Sequence, residues 1–427
     1  MLDIKLIREN PDLVRENLKR RHNPEYLKML EILIKNDLRW RKLISDTNYL
    51  RAERNRLSLE IGKLKSEKKD FSQKMKEAEK IPEKIKSIET EIIELEEKNI
   101  NILMQIPNLL HESVPDGKDE TENVELRKWG NPPKFDFEPK DHLTILQNLD
   151  LIDVERGAKV AGHGFFFFKN DLVFLDLAIQ RFALDFLKKQ GFTIVLPPFL
   201  VNKESYEGVA PLQDFQEMMY KIQDYDLFMI ATAEHPMGAM LRDEIINRND
   251  LPLKFAGISS CFRRELGSHG KYTKGMFRMH QFNKIEQFVY AHPDDSWKMF
   301  EHIQQNSEKL YQEFGLHHRT IEFCTGDLGI MKAKSYDIEA WMADGTFREV
   351  GSNSNLTDYS ARNLNIKWRE GPGKPPAGFV HTLNNTAIAT SRTMIAIIEQ
   401  FQKEDGTVEI PKVLRPFMNG IAKLEKV

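Results

Sequence analysis

From about residue 26 to Ile106 the apolar residues recur at alternating spacings of three and four, as in helices that bury one narrow stripe. Leu33, Trp40, Leu43, Leu50, Leu57, Ile61 and Leu64 fit one heptad seam, interrupted at Asn36, Thr47 and Arg54. On the return stretch Ile85, Ile88, Ile92, Leu95, Ile102 and Ile106 take the a and d positions, with Asn99 as a polar member. Two such stripes of roughly 33–37 residues, joined near Lys69–Ser72, predict an antiparallel helical hairpin. At about 1.5 Å per residue it would be on the order of 50 Å long. Ahead of it, Asp12–Arg21 reads as a short amphipathic helix. Pro82 is either a kink inside the returning helix or its first turn, with a looser tip.

The heptads stop at Pro107, and Pro115-Asp116-Gly117 reads as a linker. Beyond about Asp119, strand-like and helix-like stretches alternate among more Gly, Pro and aromatic residues, an α+β pattern. The predicted division is 1–110 and 111–427. Val173–Gln190 is an amphipathic helix ended by Gly191, and the short strand FTIVLPP closes on Pro197-Pro198. LKFAGISSCFRRE and FRMHQFNKIEQFVY read as strands flanking LGSHGKYTKGM, a loop rich in Gly and Lys. Alternation puts Arg263 and Glu265 on one face of the first strand. It puts Arg278, His280, Phe282, Lys284 and Glu286 on one face of the second. Such a face is either a salt-bridged sheet surface or a nucleotide site, since arginine forks match phosphate oxygens and a ring stacks on a base. FREVGSNSN, residues 347–355, sets Glu349 near Ser352, a carboxylate and a hydroxyl suited to Mg²⁺ held against phosphates. LNNTAIATSRTMIAIIEQ, residues 383–400, reads as a small-residue helix with Arg392 two turns in. Its neighbours Ala387, Ala389 and Ser391 would let a ligand come close.

Length and composition narrow the class. At 427 residues two domains are expected, and 41 % hydrophobic content is enough for a large core. No apolar run reaches the roughly 18 residues of a membrane span, and MLDIKLIREN has no signal-peptide core. Cys261 and Cys324 are too few for a disulfide framework or a cysteine zinc site, which suits the reducing cytosol. A net charge of −3 excludes a globally basic coat, so any nucleic-acid contact must be local. The first hairpin helix carries Arg51, Arg54, Arg56, Lys63, Lys65, Lys68 and Lys69, whereas the return is acidic around Glu89–Glu97. That lopsidedness is either ion pairing between solvated helices or a phosphate-contacting arm.

Together these segments resemble the three signature motifs of class II aminoacyl-tRNA synthetases, and specifically the archaeal branch of the seryl-tRNA synthetases. Motif 1 would be about 173–198, motif 2 about 253–290 and motif 3 about 383–400, with TAEHP at 232–236 and the hairpin completing the pattern. The resemblance implies an α+β fold: an N-terminal antiparallel coiled-coil hairpin plus a catalytic domain whose antiparallel β-sheet is flanked by helices. It implies a cytoplasmic homodimer joined through motif 1. It implies a serine–tRNA ligase that forms seryl-adenylate from ATP and L-serine and loads tRNA(Ser), with tRNA(Sec) an open second acceptor.

Residue by residue, the resemblance gives the ATP α-phosphate to Arg263, the adenine amino group to Glu265 and ring stacking to Phe282. Arg278 and Arg392 would hold the outer phosphates, with Arg264, Met279, Val350 and Gly351 around the nucleotide. Glu349 and Ser352 would take Mg²⁺, and Arg263, Arg392 and Glu349 would carry the chemistry. Thr232, Ala233, Glu234, Arg263, Glu286, Asn384 and Thr386 would hold serine. The basic run from Arg51 to Lys69 would meet the long variable arm of the tRNA. No zinc is expected, because no zinc-ligand cluster like that of the divergent methanogenic form stands out. Departures are Asn385, Ala387 and Ser391 in place of motif 3 glycines, Gly351 where a side chain is usual, and Leu356 where cysteine is common. An amino acid–carrier protein ligase would lack the hairpin. An inactive paralogue serving as an interaction protein would have lost Arg263, Glu265, Arg278 and Arg392, all of which stand.

Overall fold

The computed structural model describes residues 1–210, 218–265 and 275–426. It divides into two compact units, Met1–Pro107 and Asn108–Val427.

In the first unit, α1 (Ile4–Glu9) and α2 (Pro11–Lys19) precede two long helices, α3 (Pro24–Ser66) and α4 (Ser72–Leu103). Asn23 caps α3 by accepting the Glu25 N–H, and Pro24 occupies the first helical position, where its missing N–H costs nothing. Leu33, Leu43 and Leu57 of α3 and Ile85 and Ile92 of α4 are buried along the seam, as the heptads require. Two polar residues share that burial, Thr47 and Asp37. Asp37 is the correction to the expected interruption at Asn36. Its carboxylate accepts from Arg8 at 2.6 and 3.0 Å and pairs with Arg41 at 3.0 Å. Pro82 lies inside α4, well past its first turn, so the alternative of a helix start there is wrong. It is exposed, so the unsatisfied carbonyl opposite its ring can meet water, while Ile81 and Ile85 pack on Leu57 beside it.

Ion pairs do bridge the two long helices, at Arg39–Glu91 and Arg51–Glu89, both 2.8 Å. Arg56 pairs within α3 with Glu53 and Glu60, and Lys69 pairs with Glu67. Among the described residues Arg54, Lys63, Lys65 and Lys68 make no ion pair. Of the seven cations of the basic run, three are thus paired and four are not.

Among the described residues of the second unit the centre is an eight-stranded sheet. In chain order its strands are β1 (Val124–Trp129), β2 (Thr193–Val195), β3 (Leu253–Phe262), β4 (Gln281–Ala291), β5 (His318–Glu322), β6 (Lys334–Trp341), β7 (Phe347–Asn355) and β8 (His381–Ala389). They lie in the order β1-β5-β6-β7-β8-β4-β3-β2, antiparallel throughout except for the β2–β3 pair. The helices that matter here are α5 (His142–Asn148), α6 (Asp171–Lys189), α7 (Lys203–Val209), α8 (Glu234–Ala239), α9 (Ser296–Phe314) and α10 (Thr390–Gln400). Helices α5, α6, α9 and α10 bury Leu146, Leu175, Ile303 and Ile397 against one face of the sheet, meeting Ile285, Val289, Ile338 and Ile388. No described helix is long and apolar enough to cross a membrane.

Three expectations change. The first motif 2 strand stops at Phe262 and the second begins at Gln281, so Arg263, Glu265, Arg278 and His280 lie outside the ladders. Residues 383–400 are not one helix: β8 runs to Ala389 and α10 starts at Thr390, which puts Arg392 in the first helical turn. The Gly- and Lys-rich loop falls largely on residues 266–274, outside the described residues.

Candidate active site

The other face of the sheet builds the site, and β4 shows how. Its even-numbered side chains begin in a core, where Phe288 and Tyr290 pack with Val209, Met237 and Leu364. The Tyr290 hydroxyl donates to the Met237 carbonyl and, at 3.1 Å, to that of Gly238, pinning α8 to the sheet. The next even residues, Glu286, Lys284 and Phe282, line two adjoining cavities instead.

Two β-bulges aim the neighbouring strands. On β7, Gly351 pairs with Ile338 and Glu349 with Glu339, leaving Val350 unpaired between them. A regular strand would send residues three apart to opposite faces; the extra residue brings Glu349 and Ser352 onto the same wall. On β8, Thr386 pairs with Glu286 and Ile388 with Ile285, so Ala387 is the unpaired residue. Gly351 is explained by closeness: a Cβ there would stand 2.9 Å from the Thr386 carbonyl oxygen.

The larger cavity, about 480 Å³, is lined by Thr232, Glu234, Arg263, Glu286, Glu349, Ser352, Asn384 and Thr386, among others. Asn384 Nδ2 donates to Glu234 Oε1 at 2.7 Å, and the Thr386 hydroxyl donates to Glu286 Oε2 at 3.2 Å. Lys284 Nζ meets Glu286 Oε2 at 2.5 Å, with both side chains almost fully buried. Ala233 does not reach the cavity; it is buried in the core against Gly257. The smaller cavity, about 50 Å³, is lined by Arg263, Glu265, Met279, Phe282, Glu349, Val350, Gly351 and Arg392. The Val350 side chain itself is fully buried in the core. Arg263 stacks its guanidinium 5.2 Å from the centre of the Phe282 ring. Arg392 holds Glu349 at 3.1 Å and lies 4.6 Å over the Phe277 ring. Glu265 reaches this cavity through a left-handed backbone, φ +46°, not through strand alternation. Arg278 pairs with Glu265 at 3.2 Å from outside, half-exposed, and Arg264 lines neither cavity. His280 turns away, stacked on Phe165.

The electrostatics are uneven. Burial first, and then the Glu286 carboxylate, push the Glu234 carboxyl up to about 7. Burial, helped by Lys284 and Arg263, pushes His235 down to about 3, so its imidazole is neutral. Desolvation opposes ionisation of Glu349, but Arg392, with Arg263 and Lys332 behind it, holds that carboxyl below its usual range. Asp337, the cross-strand partner of Ser352, is raised by burial and by Glu349. Sequence reasoning missed Lys332, Phe277 and Asp337, which reach the site only through tertiary packing. His235 had a signal, since it stands inside TAEHP.

Residues 1–110 match the family described as the seryl-tRNA synthetase N-terminal domain, and residues 220–401 match the tRNA synthetase class II core domain (G, H, P, S and T). The serine–tRNA ligase of Methanospirillum hungatei is 51 % identical over 98 % of this chain and 99 % of its own.

This chain belongs to the seryl-tRNA synthetase family.

Among solved structures, the seryl-tRNA synthetase from Pyrococcus horikoshii complexed with ATP superposes with a TM-score of 0.96 at 45 % identity, covering all of both chains. The cytoplasmic enzyme from Naegleria fowleri in complex with AMP gives 0.91 at 34 % identity, covering 100 % of this chain and 99 % of that one. A seryl-tRNA synthetase activates serine with ATP and transfers it to tRNA, so the cavities belong to a serine–tRNA ligase. The full-length match includes the helical hairpin, which removes the carrier-protein reading.

The state of Glu234 gives this synthetase a pH signature. Below about 7 the carboxyl is protonated, and if serine docks its ammonium beside Glu234, as proposed below, that proton must first leave. The KM for serine is therefore expected to rise as pH falls through this range, by up to about tenfold per pH unit. Glu234→Gln should flatten the profile. Steady-state pyrophosphate exchange from pH 5.5 to 8.5, on the wild type and the variant, checks this.

Proposed function

We propose that serine occupies the larger cavity, with its ammonium and hydroxyl shared among Thr232, Glu234, Glu286, Asn384 and Thr386, and its carboxylate facing Arg263. The observation that carries the reading is the convergence of two carboxylates and two threonines from three elements beside a guanidinium. A pocket that hydrogen-bonds a hydroxyl rejects the analogue lacking it, because buried polar groups are then left unpaired. ATP takes the adjoining cavity, with adenine against Phe282, Glu265 and Met279 and phosphates toward Arg263, Arg278 and Arg392.

The serine carboxylate attacks the α-phosphorus in line, and pyrophosphate leaves with its charge held by Arg392 and Arg278. A terminal ribose hydroxyl of tRNA then attacks the adenylate carbonyl, forming the ester and releasing AMP. No side chain need act as a general base; positioning and charge stabilisation supply the acceleration. Mg²⁺ is proposed at Glu349 and Ser352. The set fits a hard cation: Glu349 is held ionised, and the Ser352 hydroxyl stands on the same wall with Asp337 as its cross-strand partner. When bound, it neutralises phosphate charge.

The first unit is proposed as the tRNA-binding domain, with the unpaired cations Arg54, Lys63, Lys65 and Lys68 meeting phosphates of the long variable arm. Residues from about 108 onward form the catalytic domain. A homodimer through α6 is supported by apolar side chains left in water: Val173, Phe174 and Leu177 on one stripe, and Leu196 before Pro197. Both cysteines are free thiols, which suits the cytoplasm.

Three outcomes are expected. Arg392→Ala should lower serine-dependent pyrophosphate exchange at least about 100-fold, the scale of losing a preorganised charge partner, with the fold unchanged by circular dichroism. Near-normal exchange would remove Arg392 from the site. Replacing Lys63, Lys65 and Lys68 by Ala should weaken tRNA binding and flatten its salt slope by about 0.7–0.9 per lost contact, leaving adenylation intact. An unaltered slope in filter binding would mark these lysines as solubilising charge. Leu177→Glu should dissociate the dimer, read as halved mass in light scattering; a wild-type monomer would sink the interface.

A further inference from the structure

The short turn that carries Phe277 is held from behind. Helix α5 starts at His142, which is buried where α5 meets the C-terminal half of α10. The His142 backbone N–H and ring Nδ1 both reach Glu399 Oε1, at 3.1 and 2.7 Å. The other Glu399 oxygen accepts the Ala343 N–H at 2.9 Å, so the carboxylate is fixed from two sides. With Nδ1–H given to the carboxylate, Nε2 is left as an acceptor, and it takes the Met276 N–H at 3.3 Å.

The main chain runs hard against the imidazole. Gly275 has φ +79°, and a Cβ there would stand 2.6 Å from His142 Nε2. Two residues on, the Phe277 ring lies 4.6 Å from the Arg392 guanidinium and 6.0 Å from that of Arg348. Arg392 and Glu399 belong to the same helix, α10. The turn is thereby clamped between them: its backbone through His142 to Glu399, its ring directly to Arg392.

We propose that His142 is a positioning residue for the ATP site: by accepting the Met276 N–H while donating to Glu399, it sets the Gly275–Phe277 turn so that the Phe277 ring backs the Arg392 guanidinium. It touches no substrate. A guanidinium paired with Glu349 and set over a ring is already oriented before phosphate arrives, so less freedom is lost on binding. The inference rests on the reading of Arg392 as an ATP arginine.

The two ring nitrogens can be tested separately. His142→Asn puts an amide donor near the Nδ1 position and nothing at Nε2. His142→Gln puts an amide oxygen near Nε2 and gives up the Nδ1 donor. His142→Asn should raise the KM for ATP about 5- to 30-fold, the span of a partly desolvated cation–π contact, while the KM for serine changes less than about twofold. His142→Gln should raise it less than His142→Asn, because the acceptor for the Met276 N–H is kept while only the tie to Glu399 is lost. Phe277→Leu, which leaves the backbone alone, should raise the KM for ATP similarly, and the double variant with His142→Asn should be no worse than either single one. Equal effects of Asn and Gln, a parallel rise in the KM for serine, or additive losses in the double variant would overturn the proposal. Arg392→Ala separates the two readings. If it leaves the KM for ATP unchanged, the ATP-site reading falls and takes this inference with it. If it raises that KM while His142→Asn and Phe277→Leu do not, this inference alone falls.

Discussion

A buried pair of opposite charges two residues apart on one strand constrains everything around it. Lys284 and Glu286 leave water almost completely, and the effective penalty for such ions is several kcal/mol each unless neighbours satisfy them. Their own contact uses only part of their hydrogen-bonding capacity. Thr386 supplies a further donor to Glu286, which fixes β8 beside β4 in one register. Asn384, two residues earlier on β8, ties down Glu234 and with it the start of α8. The pair is thus satisfied with β8 in place beside β4, and these two strands with Glu234 wall the larger cavity. Sheet order and binding chemistry answer to the same desolvation cost.

The second recurring device is irregular backbone at the cavity wall. Val350 and Ala387 are unpaired residues on the two adjacent strands β7 and β8, and both sink into the core. Each bulge shifts the alternation, so that a strand supplies apolar residues to the helices and polar ones to the cavity without a clean period of two. Glu265 adds a left-handed residue just past the end of β3. Such a backbone costs about 1 kcal/mol or more and persists where its surroundings over-determine it. Here the surroundings include Arg278, which holds the Glu265 carboxylate.

These devices mark where the sequence could and could not be read. The hairpin was legible because heptad spacing is a local property of each helix. Asp37 was not, because its burial depends on Arg8, a residue of α1 far back in the chain. The two motif 2 strands were legible as strands, but extending them to Glu265 and back to Phe277 assumed an alternation that the turn residues break. Residues 383–389 read as helix because Asn, Ala and Thr carry little periodic signal. Their strand state comes from pairing between β7 and β4 in the middle of a sheet. Thr232, Glu234, Glu286, Asn384 and Thr386 could be grouped only through resemblance to known motifs, for no spacing in the chain links them. Lys332 and Phe277 lay beyond either route, since their place is set entirely by packing.

The uneven seam of the hairpin has a dynamic consequence. Near its base, α3 is tied down by Leu30, Leu33, the Asp37 ion pairs and Leu43. Toward the turn at residues 67–71 the buried apolar contacts thin to Leu57, Ile81 and Ile85, and Pro82 removes one backbone N–H from the ladder. Helical segments held by few buried contacts open at lower free energy than those in a continuous core. Backbone amides should accordingly exchange with deuterium in a gradient along the two helices, fastest near the turn and slowest near Leu33. The hairpin frays from its tip instead of opening as one cooperative block. An end that opens cheaply can adjust to an irregular surface while its base keeps its register.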